Sequence, residues 1–151
     1  MQGPSEASAT MANKALAQRA TEEVWNKGNI VVADEVYAPD IIRHDPTLPA
    51  GKEQGREAFK KFVNVFRTAF PDGRVTLDDL VAEGDKVAVR YSFQGTHAGE
   101  LVGIPATGRR VTVTGIAIAR VAAGKCQEMW DSFDNLGLLQ QLGVIPRAEQ
   151  E

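Results

Sequence analysis

Lys125-Cys126-Gln127-Glu128-Met129-Trp130-Asp131-Ser132-Phe133-Asp134 runs directly into Asn135-Leu136-Gly137-Leu138-Leu139-Gln140-Gln141-Leu142-Gly143. The stretch follows the turn Ala122-Ala123-Gly124-Lys125 and reads as a strand that hands over to a short closing helix. Met129, Asp131 and Phe133 share one parity, so a strand points all three to the same face. A carboxylate between two large apolar neighbours sits either on a solvated edge or in the wall of an apolar cavity. In a cavity, desolvation raises its pKa and poises it for proton transfer. Asp134 suits the N-cap of the helix that follows. Asp131 is therefore the functional carboxylate and Asp134 the structural one. Trp130, of opposite parity, is expected to face the helices or a subunit interface.

Working back from this strand, everything after Gly73 reads as antiparallel sheet. Val75 to Glu83 is one strand, Gly84-Asp85 a turn, and Lys86 to Gly95 the next. In the latter Val87, Val89, Tyr91 and Phe93 alternate with Lys86, Ala88, Arg90 and Ser92. A loop rich in Gly and Pro, Ala98 to Gly108, leads to a long strand, Val111 to Val121. Its centre, Ile116-Ala117-Ile118-Ala119, is apolar on both faces, which predicts a central strand covered on both sides.

The first half reads as helix. Leu16, Ala20 and Val24 recur at helical spacing between Ala12 and Lys27, and Gly28 supplies a stop. A second helix is expected over Ile30–Tyr37, ended by Pro39, then a brief strand from Asp40 to His44. A third helix carries the stripe Ala58, Phe59, Phe62, Val63, Phe66 and Phe70 before Pro71-Asp72-Gly73. Three N-terminal helices against one side of a curved antiparallel sheet make an α+β cone with an apolar pocket, the natural ligand site.

The 151 residues fit a single domain with a core of its own. We expect a disordered tail over residues 1–11, one domain over 12–146 and a C-terminal tail over 147–151. A net charge of −3 argues against nucleic acid or an anionic membrane as partner. No apolar run is long enough to span a bilayer, and Met1 to Thr10 lacks the basic and apolar regions of a signal peptide. One cysteine, Cys126, allows no internal disulfide and suits a reducing cytoplasm. With two histidines and no metal-ligand spacing, no metal site is expected.

His97-Ala98-Gly99-Glu100-Leu101-Val102-Gly103-Ile104-Pro105-Ala106-Thr107-Gly108-Arg109-Arg110, the Gly124-Lys125 turn, and Trp130-Asp131 leading to Leu139-Gln140-Gln141-Leu142-Gly143 resemble the SnoaL-like polyketide cyclases. That family belongs to the nuclear transport factor 2-like fold superfamily, and the resemblance runs from about Ala12 to Pro146. It implies a cofactor-independent intramolecular aldol condensation on a hydrophobic carbonyl compound. The family's last-strand aspartate, its general acid/base, corresponds to Asp131 counting back from Gln141-Leu142-Gly143.

The other candidates are weaker signals. His44 could face the pocket and hydrogen-bond a substrate carbonyl or Asp131, or be a surface or satisfied core histidine. Asp45-Pro46 is similar to the context of the proton-shuttling aspartate in ketosteroid isomerases, yet the stretch near Ile116 lacks their acidic oxyanion donor. Asp45 also suits a plain turn. His97 could close the pocket mouth or bond the backbone of its own loop. Trp25 could line the pocket or simply pack, and Met129, Phe133 and Tyr91 are candidates for the wall. Arg90 lacks the carboxylate two residues on that an arrangement of the limonene epoxide hydrolase type needs.

Three functions compete: a cyclase or isomerase using Asp131 with His44 as helper, a module that binds a small apolar ligand without catalysis, and an interaction domain whose cone is filled by its own side chains. A homodimer or homotetramer is expected through the strand face bearing Thr112, Thr114, Ile116 and Ile118.

Overall fold

The computed structural model describes residues 5–146. Helix α1 (Glu6–Arg19) continues as a π-helical turn over Ala20–Asn26. A 3-10 turn (Ile30–Val32) leads into the four-residue α2 (Ala33–Val36). Strands β1 (Tyr37–His44) and β2 (Lys52–Gln54) precede helix α3 (Arg56–Ala69). Then follow β3 (Arg74–Glu83), β4 (Lys86–Thr96), β5 (Arg110–Ala122), β6 (Lys125–Phe133) and the closing helix α4 (Asn135–Gln141). No helix among the described residues is long and apolar enough to cross a membrane.

The six strands form one sheet in the order β2-β1-β6-β5-β4-β3. Two-residue turns set the register of the β3–β4 and β5–β6 hairpins. Ala123 and Gly124 both take positive φ, +52° and +72°, which matches the right-handed twist of β5 and β6. One pair departs from the expected antiparallel sheet: β1 runs parallel to β6, Ile42 beside Glu128, Arg43 beside Met129 and His44 beside Trp130.

The helical half differs from its sequence reading in three respects. Residues 6–11, expected in a disordered tail, belong to α1, whose start is capped by the Ser5 hydroxyl accepting from Ser8 N at 3.1 Å; residues 1–4 and 147–151 lie outside the described residues. The second helix covers the expected segment to within one residue, with a 3-10 first turn over Ile30–Val32, and ends at Val36, where Tyr37 enters the pleated sheet. Pro39, expected to end that helix, lies inside β1 where the β1–β6 register shifts, a place where its missing N–H costs no ladder bond. Finally, two strands rather than the one expected separate the second helix from α3.

Two apolar clusters hold the layers together. One gathers Val24, Val36, Tyr37, Ile41, Phe59 and Val63 where α2, α3 and β1 meet. The other gathers Phe70, Leu101, Val111, Val113, Leu138 and Leu142 under α4. Each fully buried side chain of this size contributes on the order of 2 kcal/mol. The opposite face of β5 is not covered in the single chain, contrary to expectation: Ile116 is 56% exposed and Ile118 39%, while Val113 and Ala117 on the inner face are buried.

Candidate active site

Between the two clusters the cone is open. A cavity of about 130 Å³ is lined by aromatic side chains from α3 and the π-helical turn on one side and by β3 to β6 on the other. The cone is therefore not filled by its own side chains. Met129, Asp131 and Phe133 all reach it, as strand parity requires. Among the lining residues Asp131 and Tyr91 are the ionisable ones.

Burial raises the Asp131 carboxyl to about 6; a hydrogen bond from Tyr91 opposes the rise, Asp45 nearby adds to it, and Arg43 opposes it. The Tyr91 hydroxyl donates to Asp131 Oδ1 at 2.8 Å. Burial, and then the Asp131 charge, push the phenol above its ordinary range, so it remains a donor throughout neutral pH. Tyr91 on β4 reaches β6 only by crossing β5, where its register partner is Gly115. A Cβ at 115 would run into the Tyr91 ring and hydroxyl. The glycine is thus what lets the phenol lie across the sheet onto the carboxylate. A carboxyl that titrates near neutrality in an apolar chamber can take a proton from carbon and return it to oxygen.

Trp25 lines the cavity and also packs edge-on against Phe62, with ring centroids 5.5 Å apart. His44 does not reach the cavity. Sharing the level and face of Trp130, it stacks on that indole at 5.1 Å on the outer side of the sheet. Its Nε2 meets Glu128 Oε2 at 2.7 Å, and it cannot assist Asp131 directly.

Asp45 is buried and outside the cavity wall. Its Oδ1 accepts from Thr47 N at 2.8 Å and from Thr47 Oγ1 at 2.7 Å, the expected turn, and its Oδ2 accepts from Arg43 Nη1 at 2.6 Å. His97 does not close the mouth. It is fully buried, and Thr107 N donates to its Nδ1 at 3.2 Å, which bonds it to its own loop. Arg90 lies exposed on the outer face and bonds Asp79 at 2.6 Å. Among the described residues no three His, Cys, Asp or Glu side chains converge as metal ligands.

Two site residues escaped sequence reasoning. Gly115 carried no local sign of its role. Arg43 did: Ile41, Arg43 and Asp45 share a parity, and a cation at an apolar position two residues from a carboxylate signals a buried pair.

Residues 15–142 match the family model of the SnoaL-like polyketide cyclases. Aklanonic acid methyl ester cyclase DauD of Streptomyces sp. (strain C5) is 33% identical over 128 residues, 80% of this chain and 76% of that protein. The nogalonic acid methyl ester cyclase of Streptomyces nogalater is 32% identical over 121 residues, 79% of this chain and 89% of that one. The solved structure of TsrD from Streptomyces laurentii is 32% identical with a TM-score of 0.79, and covers 89% of this chain and 97% of its own.

Proposed function

The chain belongs to the SnoaL-like polyketide cyclase family, and from that premise we propose that it closes a ring in a neutral, hydrophobic polyketide-like carbonyl compound by a cofactor-independent aldol reaction at Asp131. The observation that carries this reading is the Asp131 carboxyl, raised to about 6 in an apolar cavity. Its carboxylate removes a proton from a carbon flanked by carbonyls. The resulting enolate carbon attacks a second carbonyl carbon of the same molecule, and the new alkoxide takes the proton back from Asp131. One C–C bond forms, no atom is lost, and the carboxylate is regenerated. Tyr91 holds the carboxylate in place, and the aromatic walls fold the chain for attack.

The substrate's charge follows from the wall. A substrate carboxylate would meet the negative charge of Asp131 with no cation in the lining, whereas an ester adds none. The two curated relatives are described as methyl ester cyclases, in keeping with this preference. We further propose a homodimer or homotetramer through the open face of β5, and a cytoplasmic setting, in keeping with a single buried cysteine.

The test is deuterium wash-in from heavy water into β-dicarbonyl and polyketide-like esters, native protein against Asp131→Asn. Exchange catalysed by the native protein and lost in the variant supports carbon-acid chemistry at Asp131. Saturable binding with no exchange for any compound favours a binding module instead. Equal exchange in both proteins removes Asp131 from the mechanism.

A further inference from the structure

Arg43 and Asp45 are each 2% exposed, and the mechanism uses neither. In the parallel β1–β6 ladder His44 stands beside Trp130. Asp45, the first residue past β1, follows His44 as Asp131 follows Trp130, and Arg43 is the register partner of Met129, so both charges of the pair act on Asp131. Arg43 binds Asp45 through Nη1 and Glu53 Oε1 through Nε and Nη2, at 3.0 and 2.8 Å. Its guanidinium carbon lies 3.7 Å from the centre of the Phe62 ring, and Phe62 is itself part of the cavity wall. Each guanidinium nitrogen has a protein partner and neither residue lines the cavity, so neither reaches substrate. A buried pair of this kind also adds little stability over apolar residues of the same size.

The electrostatic surroundings of Asp131 are otherwise sparse. Strand β4 contributes Tyr91, β1 and its following turn contribute Arg43 and Asp45, and β2 contributes Glu53 behind Arg43. The helices, the π-helical turn, β3 and β5 present no ionisable side chain to the cavity.

We propose that the buried Arg43–Asp45 pair sets the proton affinity of Asp131, Asp45 holding the proton on and Arg43 drawing it off. Both are positioning residues that act through Asp131, and the kinetic consequence rests on Asp131 being the acid/base. The electrostatic consequence does not, and it can be read directly.

The experiment is a carbon-13 NMR titration of the Asp131 carboxyl, assigned by its absence in Asp131→Asn, in native protein, Asp45→Asn, Arg43→Met and the double variant. Asp45→Asn keeps an acceptor for Thr47 and leaves Arg43 paired with Glu53, so it is the mild change. The expected result is an Asp131 midpoint lowered by about one pH unit in Asp45→Asn and raised by about as much in Arg43→Met, with the double variant near native. The pH profile of deuterium exchange should follow the same shifts. Where Arg43→Met fails to fold, Asp45→Asn and the double variant decide the matter. Midpoints that stay fixed, or that move in the same direction in both single variants, overturn the proposal. Midpoints that shift as expected while Asp131→Asn still exchanges deuterium leave the pair's role standing and remove the catalytic one.

Discussion

Trp130 and Asp131 are consecutive, yet they open onto opposite sides of the sheet. The indole is 38% exposed and stacks on His44 outside, while the carboxylate accepts from Tyr91 inside. One strand thus serves the chamber with one face and the outer surface with the other, and substitutions on the two faces have separable consequences.

The raised Asp131 carboxyl makes stability depend on pH. Its folded value of about 6 exceeds the ordinary 3.8, so the folded chain holds this proton more tightly than the unfolded one. The associated stability is fully present below pH 3.8 and is lost as pH rises through about 6. The loss is on the order of 3 kcal/mol. Urea unfolding at pH 4 and pH 8 should show Asp131→Asn gaining by about that amount over the native protein at the higher pH alone. A stability difference that stays constant with pH would contradict the burial described here.

Tyr91→Phe removes the donor that draws the Asp131 carboxyl downward. The midpoint of the exchange-rate profile should move above that of the native protein, with a stability loss of about 1 kcal/mol. A pH series of initial exchange rates checks the direction.

Gly115→Ala should behave like a harsher Tyr91→Phe. The new methyl takes space that the phenol occupies, and overpacking of this sort costs about 1–3 kcal/mol. Combining it with Tyr91→Leu should recover part of the lost melting temperature without restoring the native pH profile.

His44→Ala should leave exchange within about twofold of native, because the ring lies on the far side of the sheet from the cavity and its bond to Glu128 is solvent-side. A tenfold loss would return His44 to the mechanism.

Ile118→Lys should lower the mass of the assembly. Ile116, Ile118 and Trp130 form an exposed apolar strip on the outer face, and a charge there opposes its burial against a second copy. Sedimentation equilibrium should give a multiple of 16.3 kDa for the native chain and the monomer mass for the variant.

Strand parity was enough to place Met129, Asp131 and Phe133 on the cavity and Trp130 away from it, because alternation is local. The Asp134 cap was equally local, and its side chain accepts from Gly137 N at 2.8 Å. The face taken by His44 was not legible. It depends on the register between β1 and β6, and on Pro39 lying within a strand rather than ending a helix. The start of α1 was missed because Glu6–Arg19 buries no residue, leaving the Ser5 cap as its one sequence signal. The Tyr91–Asp131 bond joins positions 40 residues apart across a third strand. No periodicity encodes such a contact.

The parallel pairing of β1 with β6 also fixes when the chamber can exist. Strands β3 and β4, and likewise β5 and β6, join through two-residue turns that can zip up quickly, whereas residues 97–109 separate β4 from β5 and His44 meets Glu128 across 84 residues. Closing that loop is the slow, entropically costly event. A chain emerging from the ribosome holds β1 long before β6 is made, so β1 waits for that partner while β2, α3, β3, β4 and β5 are synthesised. Until β1 docks, the strand that carries Asp131 is an open edge of the sheet, with one side of its ladder unpaired.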